Sequence, residues 1–342
     1  MSRSPTSETT RDVIVVGSGP AGTFAAKGLL GLDTLMLDVG RRPSQPLSPD
    51  ASLRELIRQG SADPTQILGP RFESLHNISH RYLSPKLKAP QLRFVTDSPN
   101  ESGFIGSNGH EAVTSSARGG LANAWGGGAY RFNDSELASF PVSSRDLKPL
   151  YDEVSKAIGI SGADDDASAY FGPATDCLPA VELSAIGQDL IDVYGRRRAW
   201  FRGNGVTIGR PRLAVLTRRY QGRSPYRYNG AEFFRPLVPG IYNPTTTLDR
   251  LVDEGLDYRS SRQVQSYREV DGVVEVTCKN TASGASERYR ARRLVLAAGT
   301  LSTSRIVLAS RRDNRTQLPI LDNLVSFSAD AQAEQTRLPT AS

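Results

Sequence analysis

Cysteine, histidine and long apolar runs are all scarce in this chain of 342 residues, and each scarcity removes a class of function. The two cysteines, Cys177 and Cys278, lie far apart and form no CxxC pair. That argues against a disulfide scaffold, a structural zinc site and a dithiol redox centre. The three histidines, His76, His80 and His110, all precede residue 111. In HNISH the first two would share a helix face, but the segment lacks the glutamate that a HExxH zinc hydrolase places after its first histidine. No metal site is expected. The N-terminal MSRSPTSETTR is polar and lacks the apolar core of a signal peptide, and no apolar run approaches the ~20 residues of a membrane span. A cytoplasmic chain with no membrane span is the expectation.

Arginine, by contrast, is plentiful. It supplies the formal charge of +6, and much of it sits between Arg196 and Arg227. No nucleic-acid motif accompanies that charge, so a solvated or partner-contacting insertion is expected there and no nucleic-acid partner.

The opening of the chain carries the first chemical signal. DVIVVGSGPAGTFAAKGLLGLDTLMLD reads as a strand, a glycine turn, a helix and a second strand. Val13 to Val16 form the continuous apolar run of a parallel strand buried on both faces, and the helix is expected from Pro20 through Leu30. Gly17, Gly19 and Gly22 match GxGxxG between that strand and that helix. In such a turn the first glycine permits the bend, the second lets backbone approach a pyrophosphate, and the third lets helix and strand pack closely. Ser18 and Ala21 complete the turn, whose free amides and helix dipole suit an anion. Asp38 closes the second strand about 20 residues on, where a carboxylate accepts hydrogen bonds from ribose hydroxyls and disfavours a ribose phosphate. The alternative is a glycine turn beside a surface aspartate.

Further along, 143–160 predicts a helix capped by Ser144 and stopped at Gly159, followed by a polar break in GADDDASAYFGPATD. Short helices are expected in DASLRELIRQG and NPTTTLDRLV. VQSYREVDGVVEVTCKN and ERYRARRLVLAAGT predict strands, with VDGV a hairpin turn, and STSRIVLAS opens another helix. GGLANAWGGG, residues 119–128, packs glycines around one asparagine and one tryptophan. It suits either a loop laid against a flat ligand or a turn-rich loop with a core tryptophan.

VIVVGSGPAG, GGLANAWGGG, RDLKPLYDEVSKAIGISG and LVLAAGTLSTSRIVLAS, in this order and at these separations, resemble the glucose–methanol–choline (GMC) oxidoreductases, closest to their sugar- and polyol-oxidising branches. The resemblance covers the FAD-binding parts well and residues 165–240 poorly. It implies an α/β fold: a Rossmann-like FAD domain of the glutathione-reductase type with an interrupted, incomplete substrate domain. The FAD domain would take 11–45, 101–160 and 241–322, and substrate-domain segments and an insertion would take 46–100 and 161–240. A disordered tail would occupy 1–10 and a divergent or disordered one 323–342.

The resemblance also assigns FAD, held noncovalently, because Ala124 stands where some relatives carry a histidine tethered to the flavin. Gly119, Gly120, Asn123, Ala124, Trp125 and Gly126 would run beside the flavin. Gly299 and Thr300 of the AAG turn would close over the cofactor, and Val264 would offer backbone to the adenine. The family oxidises an alcohol, sugar or polyol CH–OH group by hydride transfer to flavin, and oxygen, a quinone or a protein then accepts the electrons. Its catalytic histidine and His or Asn partner lie beyond the AAG strand, where this sequence has no histidine. The expectation is therefore a C-terminally truncated chain without a catalytic residue of its own and with little turnover, or one completed by a partner subunit. Two other readings stay open. One is an NAD(P)H-dependent flavin reductase or monooxygenase, weakened by the lack of a second GxGxxG. The other is a non-catalytic flavin-binding or partner-binding protein that uses the arginine-rich segment as its contact face.

Overall fold

A computed structural model describes residues 9–43, 58, 63–75, 85–96, 113–230 and 233–320. The histidines, all but Arg58 of the helix expected in DASLRELIRQG, and almost all of both expected tails lie outside the described residues.

The fold is built on β1 (Arg11–Val16), α1 (Pro20–Gly28), β2 (Thr34–Leu37), α2 (Ser144–Ile158), α3 (Ala185–Arg196), α4 (Pro244–Asp253), β3 (Asp257–Arg259), β4 (Arg262–Val270), β5 (Val273–Asn280), β6 (Ser286–Leu296) and α5 (Thr300–Arg311). The strands form one mixed sheet in the order β3-β2-β1-β6-β5-β4. β1 pairs in parallel with β2 and with the second half of β6, and β3 extends the parallel part beyond β2. The first half of β6 is antiparallel to β5, and β5 to β4. Ala291 marks the change, pairing with both Arg11 and Val274.

β1 shows why this region forms a core. Ile14 and Val16 point to one face, where they pack with Leu35, Leu37, Val264, Val276, Tyr289 and Ile306 of α5. Val13 and Val15 point to the other, against Ala26 of α1 and Leu248 and Leu251 of α4. A strand buried on both sides needs an unbroken apolar run, because alternate residues serve opposite faces. Each such side chain contributes about 1.5–3 kcal/mol on burial. The β4–β5 turn is Asp271–Gly272, with φ of 51° and 75°. That is the type I′ geometry matching strand twist, and it favours glycine in the second place.

Several local readings need correction. The cap of α2 is Ser143, not Ser144: the Ser143 hydroxyl accepts from Asp146 N while the Asp146 carboxylate accepts from Ser143 N, a closed capping box. α1 stops at Gly28, two residues early, where Leu29 N turns back onto the Ala26 carbonyl. The polar break holds a helical turn at Ser168–Phe171.

The arginine-rich segment is not simply solvated. Arg212 is buried and donates to the carbonyls of Ala163 (2.8 Å) and Gly172 (2.8 Å) and to Ser168 Oγ. Arg223 donates to the Ala157 and Ile158 carbonyls that α2 leaves unpaired at its C-terminus. Arg198 pairs with Asp166. No helix among the described residues is long and apolar enough to cross a membrane.

Candidate functional site

The three glycines of the turn meet three different surroundings. At Gly17, φ is +97° and a Cβ would lie 2.5 Å from the Ala297 carbonyl oxygen. Any side chain there would force β1 and β6 apart. At Gly22, a Cβ would collide with the Gly17 carbonyl, so this glycine lets α1 sit against the turn. At Gly19, no atom of the described residues stands within 4 Å of a Cβ, so packing among them does not account for that glycine. It caps α1 without any side-chain hydrogen bond, ahead of Pro20. A helix N-terminus left uncapped in this way presents free amides and a positive dipole end to an anion.

Asp38 follows β2 at the same edge of the sheet and is 9% exposed. Ser18 Oγ donates to its Oδ2, and Tyr258 Oη donates to the same oxygen at 3.0 Å. Ser18 Oγ in turn accepts from Gly119 N at 3.0 Å. One hydroxyl thus ties together the first turn, the acid after β2 and the start of the glycine loop. Burial pushes the Asp38 carboxyl up to about 6, against the opposing pull of its hydrogen bonds and of the Arg118 charge.

The glycine loop lies directly on the turn. Gly119 and Gly120 have φ of 88° and 62°, and a Cβ on Gly120 would sit 3.4 Å from the Gly19 Cα. Asn123 is buried behind the loop. Its amide donates to the carbonyls of Arg118 (2.9 Å) and Gly120 (2.8 Å), and its oxygen accepts from Asn243. It braces these glycines in the left-handed region. Trp125 donates its indole N–H to the Tyr242 carbonyl at 2.9 Å and stands edge-on to that ring.

These segments enclose a cavity of about 680 Å³, within the ~300–1,000 Å³ usual for ligand pockets. Of the residues singled out from sequence, Gly17, Ser18, Gly19, Ala21, Asp38, Gly120, Trp125, Val264, Gly299 and Thr300 line it. Gly22, Gly119, Asn123, Ala124 and Gly126 stand outside its lining. Gly299, with φ of +81°, resembles Gly19 in that no atom of the described residues lies within 4 Å of a Cβ. The Val264 carbonyl accepts from Arg305 Nη2 at 3.0 Å, and Arg305 Nε is buried without a partner among the described residues.

Sequence reasoning missed Tyr258, Arg118 and Arg305. The helix of NPTTTLDRLV running back toward the sheet was the one hint that a strand carrying Tyr258 should follow. Among the described residues no group of three or more His, Cys, Asp or Glu is placed to hold a metal.

No family model matches the chain. It is similar to three enzymes: 2-methyl-1,2-propanediol dehydrogenase of Mycolicibacterium austroafricanum (26% identity; 50% of this chain, 30% of that one), C-glycoside 3-oxidase of Microbacterium trichothecenolyticum (30%; 50% and 34%) and paromamine 6'-oxidase of Streptomyces fradiae (25%; 88% and 49%). The chain thus spans half the length of these relatives or less. Among solved structures it is similar to a flavoprotein/dehydrogenase from Cytophaga hutchinsonii (13% identity, TM-score 0.28, 85% of this chain and 40% of that one), a likeness too distant to bear on function.

Proposed function

We propose that the chain binds FAD noncovalently and serves a flavin-dependent oxidoreductase of the GMC type that oxidises the CH–OH group of an alcohol, sugar or polyol. The observation that carries this reading is the cavity at the edge of the parallel strands. Two glycines that packing does not explain, an uncapped helix N-terminus and a buried carboxylate all meet there. Ligands of open α/β sheets bind at that edge of the strands. A dinucleotide fits the donor set. The amides at the start of α1 suit a pyrophosphate, Asp38 suits ribose hydroxyls, and Gly19 and Gly299 leave room for close backbone approach. The names of the three relatives, a diol dehydrogenase, a glycoside oxidase and a paromamine oxidase, support a hydroxylated substrate.

Bound FAD would supply the hydride acceptor. The chain's own part is to hold it. Ser18, Ala21 and Gly22 would present the turn to the diphosphate. Trp125 and Gly120 would wall the flavin side, braced by Asn123, and Thr300 would open α5 over the cofactor. The Val264 backbone would face the adenine end. Residues 46–100 and 161–240 would belong to the substrate side, in keeping with a sheet built entirely from 11–37 and 257–296. No base is assigned, because the resemblance places the catalytic histidine after the AAG strand and the three histidines of this sequence all precede residue 111. The test is anaerobic. With FAD loaded, the visible flavin band should persist and bleach little or not at all on adding a sugar or polyol, because the chain carries no assigned base, and rapid bleaching by an alcohol would overturn that expectation. Bleaching by NADPH alone, with no response to any alcohol, would replace this reading with a flavin reductase.

A further inference from the structure

Tyr258 does not line the cavity, yet it is built into the site. β3 pairs in parallel with β2, placing Tyr258 beside Met36 and its hydroxyl 3.0 Å from Asp38 Oδ2. The residue that makes room for it is Gly40, whose φ is +67° and where a Cβ would collide with Tyr258 Oη. On the other side the Arg118 guanidinium lies 5.2 Å from the centre of the Tyr258 ring and pairs with Asp249 of α4 at 2.6 Å. Arg118 is followed by Gly119, whose N–H holds Ser18, and Ser18 holds Asp38. The contacts close a ring: Asp38, Tyr258, Arg118, Gly119 and Ser18. Both donors to Asp38 converge on one carboxylate oxygen, which fixes the rotation of the group.

We propose that Tyr258 is a positioning residue for the cofactor site, orienting the Asp38 carboxylate toward the ribose hydroxyls and setting the pH range over which the site holds its ligand. This rests on the FAD-binding reading above. The charged and titratable groups around Asp38 are few. Tyr258 comes from β3, and Arg118, which also pairs with Asp249, lies ahead of the glycine loop. Arg262 and Arg305 line the same cavity. Asp38 accepts hydroxyls as the carboxylate, so affinity falls as pH drops through its titration near about 6. A donor to the ionised form lowers that midpoint, and its loss raises it.

The experiment is FAD binding by the full chain, followed by flavin fluorescence from about pH 5 to pH 8, for wild type and Tyr258→Phe. In the cofactor-free protein the Asp38 titration is followed in parallel by NMR of its carboxyl carbon. Tyr258→Phe should move the midpoint of both curves up by roughly one pH unit, weakening FAD binding about fivefold near pH 6, about tenfold near pH 5 and hardly at all near pH 8. A purely structural role would lower affinity by one factor at every pH and leave the NMR midpoint in place, and that result overturns the inference. Asp38→Asn should flatten the binding profile, and an inflection that survives it would likewise count against the inference. An NMR midpoint that moves in a protein that binds no FAD at any pH would sink the FAD-binding reading instead, while leaving the Tyr258–Asp38 contact established.

Discussion

Two glycines three residues apart, Gly19 and Gly22, look equivalent in the motif and are not equivalent in the molecule. A methyl at position 22 runs into the Gly17 carbonyl, so Gly22→Ala should cost about 1–3 kcal/mol of stability, read as a lower denaturant midpoint. A methyl at position 19 meets no atom of the described residues, and the backbone there, with φ of −64°, accepts alanine. Gly19→Ala should therefore leave the denaturant midpoint in place and weaken dinucleotide binding. Equal destabilisation by both would contradict the distinction. Asp38 gives a second prediction at this scale. Its folded pKa is raised to about 6, so ionising it opposes folding. The penalty is absent below about pH 4, grows between about 4 and 6 and is complete above. Asp38→Asn should stabilise the cofactor-free chain by about 3 kcal/mol at pH 7, with the gain vanishing toward pH 4, while FAD binding weakens. The glycines and Asp38 were legible because their spacing is fixed by a strand–turn–helix–strand unit. Tyr258 was not, because its link to Asp38 spans 220 positions and depends on a strand pairing that no local pattern encodes.

Among the elements, the apolar strands read correctly, even the four-residue β2, and the half-buried β3 did not. β1 announces itself as VIVV and the β4–β5 hairpin as Asp271–Gly272. β3 is DYR, three half-buried residues with no run and no alternation to see, and only its parallel pairing with β2 makes it a strand. Helix ends are a matter of single side chains. Ser143 and Ser144 are adjacent and chemically identical, but Asp146 can close a capping box only with Ser143. Ser143→Ala should cost about 1 kcal/mol, and Ser144→Ala should cost little, measured side by side by thermal unfolding. The reverse order would mean that the helix begins one residue later than described.

Over the whole molecule, the arginine-rich stretch shows what composition conceals. Charge counts suggest a solvated face, whereas Arg212 and Arg223 spend their donors on backbone carbonyls inside the chain, where a buried acceptor left alone would cost about 1–3 kcal/mol. The sheet, the turn, the acid and the glycine loop were legible as separate segments. Their meeting around one cavity was not, because closure depends on β6 passing from the hairpin into the parallel sheet beside β1. The most direct test of the account is the visible absorption spectrum of the full chain after FAD is added and the excess removed, with Gly19→Val run alongside. The account predicts retained flavin bands with a resolved shoulder in the wild type, lost in a Gly19→Val protein that unfolds at the same temperature. A folded wild-type chain that emerges colourless, or a Gly19→Val chain that retains flavin equally well, would contradict it.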